Sequence, residues 1–218
     1  MSDWLTWQIV DSAFPTGAFA HSWGLESAWQ HGEIDGPAAL QHFLDASVLQ
    51  AGHTVLPLVN AAYDHPHQLE ALDDIADAFL LNAVANRASR VQGRTLVATA
   101  ERVWPSPAIA SLHARVEMTC AHIAPVSGVV FRSIGLARGA AQRVLLFGTA
   151  RGVLSAAVRL GIVGSYEAQR LQQGCAPWLE RVAGECANLG AGDLAQTAPL
   201  IDLLQAGHDR LYSRLFQS

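Results

Sequence analysis

Leu72, Ile75, Ala76, Phe79, Leu80 and Ala83 recur at the spacing of a single helix face. Val153, Leu154, Ala157, Val158, Gly161 and Ile162 repeat that spacing in the second half. Apolar positions at i, i+3, i+4 and i+7 share one side of a 3.6-residue helix, whereas a half-buried strand alternates strictly. The pattern predicts helices at 3–11, 23–31, 37–63, 68–82, 84–103, 107–119, 126–138, 140–160, 165–186 and 197–206. Asp35-Gly36-Pro37 supplies a cap followed by proline at the first helical position. Gly32 and Gly164 stand where helices should stop. Only Val126–Phe131 could be extended, and Gly128 weakens that reading. The expected fold is all-α, one domain of about ten helices spanning 1–218. The glycine-rich stretch at 190–192 is expected to free a C-terminal tail from about 193.

Composition limits the chemistry. Half of the 218 residues are hydrophobic and 15% are charged, enough to bury a large core. All fourteen basic residues are arginine, so no lysine Schiff base and no P-loop lysine can form. A formal charge of −5 argues against a nucleic-acid partner. Cys120, Cys175 and Cys186 do not suggest a disulfide framework. Met1-Ser2-Asp3-Trp4 lacks a basic n-region, and Ala46–Tyr63 is too polar for a membrane span. A soluble cytoplasmic protein without membrane contact is expected.

Asp73, Asp74 and Asp77 form a DDxxD pattern, the arrangement with which helical isoprenoid synthases hold Mg²⁺ and a diphosphate. No second acidic motif follows, and the three carboxylates lie opposite the apolar stripe, where a solvated face is the simpler expectation. His65-Pro66-His67 and Cys120-Ala121-His122 each offer two metal ligands, without a CxxC or HExxH to complete a shell. No G-x-S-x-G elbow, GxxxxGK[ST] or GxGxxG motif occurs. No catalytic residue, metal site or cofactor is expected.

Residues Asp11–Glu26 carry unusual demands for a link between helices. Phe14-Pro15-Thr16-Gly17 fits a type I turn, Ser22 can cap the next helix, and Glu26 falls in its first turn. Phe19, His21 and Trp23 crowd the same loop, as residues of a contact surface do.

From Phe14 to Glu26 this segment resembles the signature of the UreF family of urease accessory proteins. Ser89-Arg90-Val91-Gln92-Gly93-Arg94 is similar to the family's Ser-Arg-x-x-Gly-Arg helix. His122, Pro125, Val126 and Gly128 resemble its histidine, proline-valine and glycine turn. Leu146–Leu160 looks like its central helix, and Leu211–Ser218 like its C-terminal ending. The blocks come in order across nearly the whole chain. Phe147 stands where tyrosine is expected, and Ala20-His21 replaces a more usual small or aromatic pair.

The resemblance implies a non-enzymatic, all-α homodimeric scaffold. Its partners would be an accessory protein of the UreD (UreH) type, a UreG-like GTPase and apo-urease, which receives nickel. It makes Phe19, His21, Ser22, Gly24 and Glu26 candidates for partner contact, and Arg143 and Phe147 candidates for the dimer interface. Tyr212, Arg214, Leu215 and Phe216 become candidates for a tail that orders on a partner. The spacing of Leu211, Tyr212, Leu215 and Phe216 would gather them on one side of a short helix.

Overall fold

Pro57 divides the longest helix that the periodicity predicts. Proline has no N–H, and its ring displaces the carbonyl four residues earlier. The helix over Pro37–Thr54 (α3) therefore ends, and a second over Leu56–Asp64 (α4) begins at once. The carbonyl of His53 is thereby released, and it accepts the N–H of Ala195 at 3.2 Å. A local break in the helix thus becomes a tether for a segment far along the chain.

The computed structural model describes residues 3–15 and 20–217. Its other helices are α1 (Trp4–Val10), α2 (Leu25–Gln30), α5 (Leu69–Phe79), α6 (Ala83–Val103), α7 (Pro107–Val116), α8 (Ile123–Ser133), α9 (Arg138–Arg159), α10 (Ser165–Glu185) and α11 (Pro199–Ala206). Among the described residues there is no strand, and Val126–Phe131 lies inside α8. The all-α expectation holds. Gly164 does not end a helix but precedes α10. Gly161, at φ +74°, ends α9, with Ile162 donating its N–H back to the Ala157 carbonyl.

Two apolar clusters fill the interior. One gathers Leu58, Val59, Leu72, Leu96, Val97, Leu112, Val126 and Phe131 from α4 to α8. The other joins Leu25, Leu40, Leu44, Val48, Leu146, Val153, Val182 and Phe216 from α2, α3, α9, α10 and the tail. Val55 and Leu145 pack against both. Each fully buried leucine contributes about 1.5–3 kcal/mol. α8 lies directly on α4 because Gly128 has no side chain. A Cβ there would sit 2.5 Å from the Val59 carbonyl oxygen.

The interior also holds polar groups, and their partners explain them. The Asn60 amide donates to the carbonyls of Cys186 and Leu189 at 3.2 and 2.9 Å, and its oxygen accepts from Gln142 at 2.7 Å. Gln142 also donates to the Ala187 carbonyl at 2.9 Å. Carbonyls at a helix C-terminus have no partner within the helix. Two amides from α4 and α9 therefore close the end of α10.

Candidate functional site

Consecutive left-handed residues, Trp23 at φ +59° and Gly24 at +87°, turn the chain into α2. Gly24, rather than Ser22, is the N-cap of α2. A Cβ on Gly24 would lie 3.2 Å from both the Ile201 carbonyl oxygen and the Gln205 nitrogen, so glycine lets α11 approach. Glu26 does occupy the first turn of α2. It is only 2% exposed.

The Glu26 carboxylate is turned toward the far end of the chain. It accepts the backbone N–H of Leu215 at 2.6 Å, that of Phe216 at 3.2 Å and the His208 Nε2–H at 2.9 Å. A carboxylate this deeply buried is tolerated only when several donors satisfy it. Phe216 is buried, with the Arg159 guanidinium 4.1 Å from its ring centroid. Gln217 donates its N–H to the Ala20 carbonyl at 2.8 Å.

These contacts correct two expectations. His21, Ser22 and Glu26 are buried rather than part of a surface loop, and what Glu26 and Gly24 face is this chain's own C-terminal region. Phe19 lies outside the described residues. The tail after Asp193 is folded onto the bundle instead of hanging free. Asp193 accepts the Gly190 N–H at 2.8 Å, Ala198 donates its N–H to the Gln50 side chain at 2.6 Å, and Asn82 donates to the Asp202 carbonyl at 2.9 Å. Glycines at 190 and 192 do not uncouple a segment that so many polar groups hold.

Nor do residues 211–217 form a helix. Phe216 points inward, while Tyr212 is fully exposed and Leu215 is about half exposed at 53%. Arg214 is half exposed and pairs with Asp209 at 3.3 Å. His208, which no sequence motif singles out, is the buried partner that completes the clasp. Its contact lies 182 residues from Glu26, beyond any local pattern.

The DDxxD pattern resolves into three unlike carboxylates. Asp73 is 1% exposed and accepts the backbone N–H groups of Cys120 at 2.7 Å and His122 at 2.6 Å. That overturns the solvated-face reading for Asp73. Both of its oxygens are engaged by the backbone, which leaves a Mg²⁺-diphosphate site without one of its ligands. Asp74 is exposed. Asp77 accepts from the Asn86 amide at 2.9 Å and from His122 Nε2 at 3.1 Å. These bonds hold its carboxyl below the usual aspartate range, the Asn86 contribution being the larger.

Ser89 and Gly93 explain the block in α6. The Ser89 hydroxyl meets His122 Nδ1 at 3.1 Å and accepts the Ile123 N–H at 3.2 Å. A Cβ on Gly93 would lie 1.9 Å from the Ala121 carbonyl oxygen. The turn between α7 and α8 therefore sits directly on α6, with His122 wholly buried. Two resembling blocks, far apart in sequence, are halves of one contact.

Arg143 is exposed and forms an ion pair with Glu180 of α10 at 3.0 Å. Phe147, one turn later on α9, is partly buried and lines a cavity of about 290 Å³. His21, Trp23, Gln205 and Phe216 line the same cavity. The N-terminal segment, the central helix and the tail thus meet at one place. Burial pushes the Cys175 thiol up to about 11, so it remains an unreactive core group.

The UreF family profile matches residues 34–176. Urease accessory protein F of Arabidopsis thaliana is 38% identical over 221 residues, covering 99% of this chain and 92% of that protein. The protein of the same name in Oryza sativa subsp. japonica is 35% identical, covering 98% and 84%. The urease accessory protein UreF of Mycobacterium tuberculosis H37Rv is 33% identical over 210 residues, covering 96% of each chain.

Proposed function

We propose, from the premise that this chain belongs to the UreF family of urease accessory proteins, that it is a non-catalytic scaffold in urease maturation. In this reading it binds an accessory protein of the UreD (UreH) type, recruits and regulates a UreG-like GTPase, and assists nickel insertion into apo-urease. It works as a homodimer through Arg143 and Phe147 and acts in the cytoplasm. No described helix is long and apolar enough to cross a membrane, which is compatible with that location.

The observation that carries the partner reading is the Glu26 clasp. It fixes the backbone at Leu215 and Phe216, so that Phe216 is anchored while Tyr212 and Leu215 face outward. Large apolar side chains held outward on an ordered segment are pre-organised anchors, since little conformational entropy is lost on docking. The N-terminal block that resembles the family signature then acts indirectly, by presenting the tail. Arg214, beside these anchors, offers a guanidinium to a partner carboxylate.

The test is co-purification with the UreD-like and UreG-like proteins. Tyr212→Ala combined with Leu215→Asp should abolish capture while the melting temperature stays within about 2 °C, as exposed substitutions usually allow. Undiminished capture by that double variant would remove the tail from the docking surface.

A further inference from the structure

Cys120, His122 and Asp77 place Sγ, an imidazole nitrogen and a carboxylate oxygen within 4.8 Å of one another. We propose that they form a binding site for a borderline divalent transition-metal ion, of the class represented by zinc and cobalt, with one position left open.

The donor set suits that class. Thiolate and imidazole favour zinc-like ions over Mg²⁺ or Ca²⁺, and a carboxylate completes a three-ligand arrangement. Bonds of about 2.0–2.3 Å at tetrahedral angles would hold the donor atoms roughly 3.3–3.7 Å apart. His122 Nε2 and Asp77 Oδ1 already stand 3.1 Å apart. Only a small movement of the Cys120 side chain is needed.

The surroundings are built to hold these side chains still. Asp73 grips the backbone N–H of both Cys120 and His122, with Ala121 between them in a left-handed turn at φ +66°. Thr119 accepts the Ala121 N–H at 3.1 Å, and Gly93 lets the turn rest on α6. Asn86 fixes Asp77. Ser89 stands at His122 Nδ1, where an outer partner orients a metal-ligating imidazole. On binding, the Nε2 proton moves to Nδ1 and is donated to Ser89, while the Cys120 thiol proton leaves to solvent.

Access is available. Asp77 opens onto a surface cleft lined also by Asn86, Arg87 and Arg90. Arg90 lines the same cleft and brings a positive charge to the Asp77 side of the site. The open position faces this cleft, where water or a small anion could complete the shell.

The full-length, reduced, metal-free protein is titrated with Zn²⁺ and separately with Co²⁺. One equivalent should bind, with a thiolate-to-cobalt charge-transfer band. Cys120→Ser should remove the band and weaken Zn²⁺ binding at least tenfold. Asp77→Asn and Ser89→Ala should each weaken it about 10–100-fold with helical circular dichroism unchanged. The exposed pair His65 and His67, whose rings are 6.0 Å apart, is the competing location. His65→Gln/His67→Gln should bind as the wild type does. A missing charge-transfer band, undiminished affinity in Cys120→Ser, or affinity lost in the His65/His67 variant would overturn the assignment. Metal binding is read on the isolated protein, so its failure leaves the partner reading untouched.

Discussion

Glu26 accepts the backbone N–H of Phe216, 190 residues away, at 3.2 Å, and so joins the start of the chain to its end. The same carboxylate holds Leu215 and His208. Removing it leaves two buried donors and one part-buried donor unpaired. Glu26→Ala should therefore lower stability by about 3–5 kcal/mol. Hydrogen exchange at the amides of residues 215 and 216 should rise to the rate of an open segment.

The tail belongs to the core, and deleting it should show that. Phe216→Ala alone should cost about 3 kcal/mol, a fall in melting temperature of roughly 6–12 °C at this chain length. Deletion of 208–218 should cost more, since it also removes His208. An unchanged melting temperature in both would show that the tail contributes nothing to stability.

Glycines 93 and 128 admit no side chain. Gly93→Ala drives a Cβ into the Ala121 carbonyl and Gly128→Ala into that of Val59. Neither neighbour is a flexible side-chain end, so each variant should lose about 3 kcal/mol or more. Gly148→Ala, where a Cβ would meet nothing within 4 Å, is the control and should be neutral or slightly stabilising.

Adjacent aspartates should behave differently. Asp73→Asn replaces an acceptor of two backbone N–H groups with an amide that cannot accept both, at a cost of about 1–3 kcal/mol. Asp74→Asn, on the exposed face, should stay within about 0.5 kcal/mol. Thermal unfolding of the two variants side by side checks this.

His21 gives the fold a pH dependence of known sign. Burial disfavours its cation, and the neighbouring His208 adds to the effect, so its pKa lies below the ordinary 6.5. Below about 6.5 the unfolded chain binds the proton more readily than the folded chain does. This contribution is present in full above that pH and is lost as pH falls toward the depressed folded value. His21→Gln should flatten the stability profile below about pH 6.5 relative to the wild type.

Helices were legible from residues alone because i, i+3 and i+4 spacing is local information, and proline and glycine act on their immediate neighbours. The spacing predicts helices at 84–103 and 165–186, within a residue of α6 and α10, for that reason. Pro57 was visible too, and its effect on a carbonyl four residues back is equally local. The family blocks at 89–94 and 122–128 could likewise be read without coordinates. What they do could not. Asp73 and Asp74 sit side by side with the same charge, and only the turn at 119–122, packed through Gly93, buries one and leaves the other in water. Glu26 reads as an ordinary first-turn carboxylate until the tail arrives with three donors. Cys120 and His122 meet Asp77 only because α5 and α6 stack beside that turn. Periodicity specifies which face of a helix turns inward. Which buried polar group finds which partner depends on contacts between residues far apart in sequence, and the assembled fold alone brings those together.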